Sequence, residues 1–267
     1  MALITNNMKK ATLLFLLVGA TALAQSVTIK MGYKPNTTYR QTQDQKVTTE
    51  ISYGEGMEPM KQDGATKTTS VTKTGKLTNN IIPFTTELEL DAESAAAAQI
   101  PKGTKLYGKT DVNGVPKFDS IHAPGMNPQI KDMLVKMMQS NLSQSIIPQK
   151  TVKVGESFVV DTPFELPMGP VTMNMQNKTT YKLIKIEGKK AHFDLSSVYT
   201  LTTKVEGQDM KGSGTAMGSM IYDTDAGYPT QMNTITDMTM AFKAQGMDMN
   251  LKTKVDLKQT TEVTPAK

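Results

Sequence analysis

The chain has 267 residues, 30 Lys and Arg against 25 Asp and Glu, 20 Met, and neither Cys nor Trp. Without Cys there is no disulfide framework, no thiolate metal site, no Cys nucleophile and no lipid-modified Cys to serve as a lipoprotein tether. The weak, evenly spread charge argues against nucleic acid as a partner, and 6% aromatic content without Trp argues against a carbohydrate platform of stacked rings.

The first 24 residues read as a secretory signal peptide. Lys9 and Lys10 form a positive n-region, Ala11 to Leu23 is apolar, and Ala22-Leu23-Ala24 is a small-x-small cleavage site, which places processing between Ala24 and Gln25. Met8 starts a more compact signal than Met1 does. The apolar run of about 13 residues is shorter than the ~20 needed to span a bilayer, and no later segment approaches that length. A mature chain without a transmembrane segment is therefore expected in the periplasm or secreted beyond it. Removing Lys9 and Lys10 leaves 28 basic against 25 acidic residues, a net charge of +3. Residues 25–267 are enough for one large β-rich domain.

Alternation of apolar and polar residues dominates that segment. It predicts strands near Val27–Met31, Thr38–Tyr53, Lys67–Thr78, Phe84–Asp91 and Lys105–Asp111, with Gly54 to Gly64 as an exposed, mobile hairpin tip. Ala92 to Gln99 is Ala-rich and fits either a short helix or a loop. Asn127 is an N-cap and Pro128 suits a first turn, after which Ile130, Met133, Leu134, Met137 and Met138 form one apolar stripe; this predicts an amphipathic helix over about 127–146 that lies on the sheet. Further strands follow at Phe158–Pro163, Val171–Glu187, Ala191–Val205, Gly212–Asp223, Pro229–Ala244 and from Met247 onward. The turns Glu187-Gly188, Glu206-Gly207-Gln208-Asp209, Asp225-Ala226-Gly227 and Gln245-Gly246 are short hairpin connections. Val171 to Val263 should then be one continuous meander. The fold class is mainly β: a large curved antiparallel sheet of meanders packed on one amphipathic helix. Gly103–Asp119 and Gly214–Asn233 share a strand, Asp, Gly-x-Pro, strand pattern, which fits either an internal duplication or a shared hairpin solution.

Four stretches carry a family resemblance: TTYRQTQDQKVTTEIS (37–52), GKTDVNGVPKFD (108–119), IIPQKTVKVGESFVV (146–160) and GSGTAMGSMIYDTDAGYPTQ (212–231). Together they resemble a family of exported, β-rich proteins of unknown function from Gram-negative bacteria. The similarity implies a fold and implies no activity. More loosely, a curved sheet over a helix resembles the periplasmic lipoprotein carriers, whose concave face holds acyl chains.

Chemistry-bearing residues are sparse. His122, in a turn before Pro124, and His192, on a wet strand face, have no ligand partner at useful spacing and read as surface histidines. No hydrolase, zinc-protease, phosphate-loop or dinucleotide fingerprint is present, so neither an enzymatic activity nor a cofactor or resident metal is expected. Asp223 and Asp225 lack the remaining oxygen ligands of a Ca²⁺ loop. The distinctive feature is Met: Met173-x-Met175, Met238-x-Met240 and Met247-x-Met249 each place two thioethers on one strand face. Three readings stay open. Met fills irregular core space; soft thioethers select Cu(I), which would require these six to converge; or Met133, Leu134, Met137, Met173, Met175, Met238, Met240, Met247 and Met249 line an apolar pocket between sheet and helix. The partners expected are a lipidic ligand or an envelope protein, the latter for a structural or protein-interaction module.

Overall fold

A computed structural model describes residues 25–54, 57–90, 100–111, 115–144, 147–168, 171–205, 208–244 and 247–266. Residues 1–24, read as a signal peptide, and the Ala-rich stretch 92–99 lie outside them. A short β1 (Ser26–Ile29) precedes a first meander of β2 (Thr37–Tyr53), β3 (Met60–Thr74), β4 (Ile81–Leu90), β5 (Lys105–Asp111) and β6 (Lys117–His122). Helix α1 (Pro128–Gln144) and β7 (Lys150–Lys153) lead to a second meander of β8 (Ser157–Met168), β9 (Val171–Glu187), β10 (Lys190–Val205), β11 (Gln208–Asp223), β12 (Tyr228–Ala244) and β13 (Met247–Pro265). The two meanders join where β13 pairs with β2, giving one unclosed antiparallel sheet of eleven strands, ordered β6-β5-β4-β3-β2-β13-β12-β11-β10-β9-β8; β1 and β7 form a separate two-stranded ribbon.

The mainly β architecture, the second meander and the helix agree with expectation. Asn127 caps α1, its Oδ1 accepting the amide of Gln129 at 2.8 Å. Other boundaries move. β3 begins at Met60 instead of Lys67, so half of the expected hairpin tip is strand. β6 matches the strand expected after the Gly-x-Pro turn of Gly103–Asp119 but runs on to His122, which ends the strand instead of lying in a turn, and β7 has no counterpart among the expected strands. Asn79 and Asn80, both at positive φ, form the two-residue loop closed by the Thr78–Ile81 bridge, the geometry of a type I′ turn.

The sheet is strongly curled. Ten gaps of about 4.8 Å would hold the edges of a flat sheet about 48 Å apart, yet α1, only about 25 Å long by its rise per residue, packs against both edge strands, β6 and β8. At the closed end the Tyr33 ring centroid lies 5.2 Å from that of Phe84 on β4 and 6.3 Å from that of Tyr228 on β12. Those strands are four gaps apart, so their inward side chains converge far more than a flat sheet allows. Four consecutive inward positions of β11 show how the backbone permits this: Gly212, Gly214, Ala216 and Gly218 are all small. A Cβ on Gly218 would stand 2.0 Å from the Asn233 carbonyl oxygen of β12. Glycine removes the atom that crowds the inside of a bend.

The core occupies this closed end. Val27 and Ile29 of β1 and Val152 of β7 seal it against Leu183, Phe193, Met220 and Tyr222. The Tyr222 hydroxyl locks the ribbon in place, accepting the Lys30 amide at 3.1 Å and donating to the Lys30 carbonyl at 2.9 Å. The high Thr content has a structural use here, because buried hydroxyls pair across strands: Thr72 with Thr86 and Thr179 with Ser197, each at 2.8 Å.

Candidate functional site

Strand register assigns each residue of the sheet to one of two faces, and the faces differ in charge. The buried residues Tyr39, Thr72, Phe84, Leu106, Leu183, Phe193, Met220 and Thr261 define the inward set. Following each ladder from these anchors, and allowing for the bulges at Tyr107/Gly108, His192/Phe193 and Ile221/Tyr222, every Lys, Arg, Asp and Glu of the eleven strands falls on the outward set. Among the described residues the inward set is uncharged. A bilayer-spanning barrel needs an apolar band facing outward; this sheet has its charges there.

Inward residues sort into zones along the strands. Beyond the closed end, Thr236, Val255 and Val47 lie side by side on β12, β13 and β2, and Met238, Thr253 and Thr49 form the next row. One step further toward the hairpin tips, a row crosses seven strands: Met175, Leu201, Gly212, Met240, Leu251, Ile51 and Met60. On β12, β13 and β2 these side chains are half-buried, whereas those of the closed end are buried. Sheet neighbours cover their flanks, and the principal contacts of α1 lie with the two edge strands instead of these central ones.

The predicted pocket residues are therefore distributed. Met238, Met240 and Met249 come together on central strands, Met249 opposite Phe242 and diagonal to Met240. Met175 shares the row of Met240 but lies three strands away, a backbone separation of about 14 Å. A single cluster of the six paired methionines is not formed by strand spacing, which leaves the trio. Met173 and Met247 occupy inward register positions and Met137 lies on α1; the side chains of these three are outside the described part. On α1, Leu134 is buried, but Met133 is 48% exposed and Ile130 46%. The apolar stripe is only partly covered because the helix bridges two edges instead of lying on a sheet face. It is tied to β6 by Gln139, whose Oε1 accepts the Phe118 amide at 2.9 Å and whose Nε2 donates to the Pro116 carbonyl at 3.1 Å. That side-chain amide stands where a further strand would pair.

Outward features are polar or small. His192 lies with Nε2 3.1 Å from Glu187 Oε2, a partner that sequence spacing did not indicate because the tight β9–β10 hairpin supplies it. Lys185, and then His192, hold the exposed Glu187 carboxyl below its ordinary range. Among the described residues no three His, Asp or Glu side chains gather as a metal site. A shallow depression of about 500 Å³ opens on the outward face of β11, β12, β13 and β2, lined by Lys211, Ser213, Thr239, Asn250 and Lys252. Val198, Met217 and Ile235, on neighbouring outward positions of β10, β11 and β12, are 53%, 70% and 47% exposed. Neither outward feature was read from the sequence; for the second, the cue was three apolar residues on the charged side of the alternation.

No protein-family model matches the chain, and no curated protein does. Among solved structures it is similar to lipovitellin, described for its lipid–protein interactions, with a TM-score of 0.46 and 11% identity over 88% of this chain; the match spans 26% of the lipovitellin chain. It is also similar to OmpT, an outer membrane protein of Vibrio cholerae, with a TM-score of 0.27 and 6% identity over 89% of this chain and 99% of that one. Ail, the attachment invasion locus protein of Yersinia pestis, gives 0.17 and 6% over 83% and 97%. At these scores the likenesses carry no argument about function.

Proposed function

We propose that the protein is an exported, non-enzymatic component of the bacterial cell envelope that binds a hydrophobic or lipidic ligand on the inward face of its curled sheet. One observation carries this reading: an uncharged, half-buried surface of Met, Leu, Val, Ile and Thr runs across the central strands while all strand charge lies on the opposite face. Such a surface gains free energy when apolar area leaves water, roughly 25 cal/mol per Å², and supplies no acid or base for catalysis. Both histidines map to outward positions. Residues 1–24 supply the export signal.

Native mass spectrometry of the mature protein from a periplasm, followed by organic extraction, tests the reading. An acyl species at near-stoichiometric amount is expected. A clean apo mass with no bound species would refute it, and would favour a second reading that rests on the exposed Val198, Met217 and Ile235: a protein-interaction module whose contact lies on the outward face of β10–β12.

A further inference from the structure

We infer that the ligand is an uncharged amphiphile of the monoacylglycerol type, held by its hydroxyl and ester groups at Thr49, Thr236 and Thr253. The inference rests on the lipid-binding reading and adds the class of ligand. Thr49 and Thr253 are direct partners across β2 and β13, and Thr236 on β12 is diagonal to Thr253, so three hydroxyls share one patch of the inward face. All three side chains are half-buried, and none makes a hydrogen bond within the described residues. This sets them apart from the paired threonines of the closed end.

The patch is bracketed by apolar residues on both sides: Met240, Leu251 and Ile51 toward the hairpin tips, Val255 and Val47 toward the closed end. A hydroxyl or ester oxygen finds partners at the patch, and the attached chain finds an apolar row beside it. A carboxylate or phosphate finds no counter-charge at any described inward position of the sheet. Moving an ion into apolar surroundings without a partner is far costlier than moving a neutral polar group that keeps its hydrogen bonds.

The test measures binding of monolaurin and of laurate, which share a chain length, to the mature protein by calorimetry below their micelle-forming concentrations, at a pH where laurate is ionised. Monolaurin is expected to bind at least about tenfold more tightly, and Thr49→Val with Thr253→Val, which keep side-chain volume and remove two hydroxyls, to weaken it by about tenfold. Thr253→Lys should reverse the preference toward laurate. Equal affinity for the two probes, or unaltered monolaurin binding in the double variant with a native circular dichroism spectrum, overturns the uncharged class while leaving lipid binding intact. Failure of folded wild-type protein to bind either probe overturns the lipid-binding reading itself.

Discussion

Two glycines, Gly218 on β11 and Gly64 on β3, occupy inward positions of the same sheet but face opposite constraints. A Cβ at Gly218 would lie 2.0 Å from the Asn233 carbonyl oxygen and 2.9 Å from the Thr234 Cα, both backbone atoms that no rotamer change can move; a Cβ at Gly64 has nothing within 4 Å. Neither glycine has a positive φ, so alanine adopts either backbone conformation freely. Gly64→Ala should therefore stabilise by about 0.4–1 kcal/mol through the lost freedom of the unfolded chain. Gly218→Ala must spread β11 from β12 and should destabilise by about 1–3 kcal/mol or more. At about 2–4 °C per kcal/mol for a chain of this size, the two variants should melt on either side of the wild type. Urea and thermal unfolding followed by far-ultraviolet circular dichroism reads both. Equal effects of the same sign would refute the claim that small inward residues on β11 permit the bend.

Tyr222→Phe removes both hydrogen bonds to Lys30 and should cost about 1–3 kcal/mol in urea unfolding, with faster hydrogen exchange in β1; unchanged exchange there would detach the ribbon from this anchor. Gln139→Ala uncovers the β6 edge, so the Phe118 amide should exchange faster while amides of β12 and β13 keep their protection. Burial pushes the Tyr33 and Tyr181 hydroxyls up to about 12 from 10.0. Between those values the unfolded chain loses the protons that the fold retains, so the stability these groups confer is complete below pH 10, drains away as pH rises toward 12, and amounts to a few kcal/mol in total. Unfolding midpoints measured across that window check the sign; a constant midpoint contradicts the burial of the two rings.

Much of this architecture is visible in the alternation itself, because a strand with one wet face must place its charges every second residue. Ala191 to Val205 and Met247 to Leu257 display that rule openly. β7 and the first part of β3 do not. β7 is four residues long and gives the core only Val152. Met60 to Gly64 has Met60 as its one large apolar side chain, too little for alternation to show, and is strand because the β2 ladder satisfies its backbone, a long-range effect without a local signature. The Met pairs were legible as same-face pairs, but pairing order was not: β10 and β11 separate Met175 from Met240. The hydroxyl patch depends on register between β2 and β13, about two hundred residues apart in the chain, and no local pattern encodes it.

That same long-range pairing has a kinetic meaning. β13, 19 residues long, is the last of the eleven strands to be synthesised, and it ladders with β12 on one side and β2 on the other. The first meander must wait, its β2 edge unpaired, until β13 has emerged. Long loop closure slows such pairing and leaves a strand edge open to wrong partners. Pairing of β13 with β2 therefore completes the sheet, and until it forms each meander carries an unpaired edge strand.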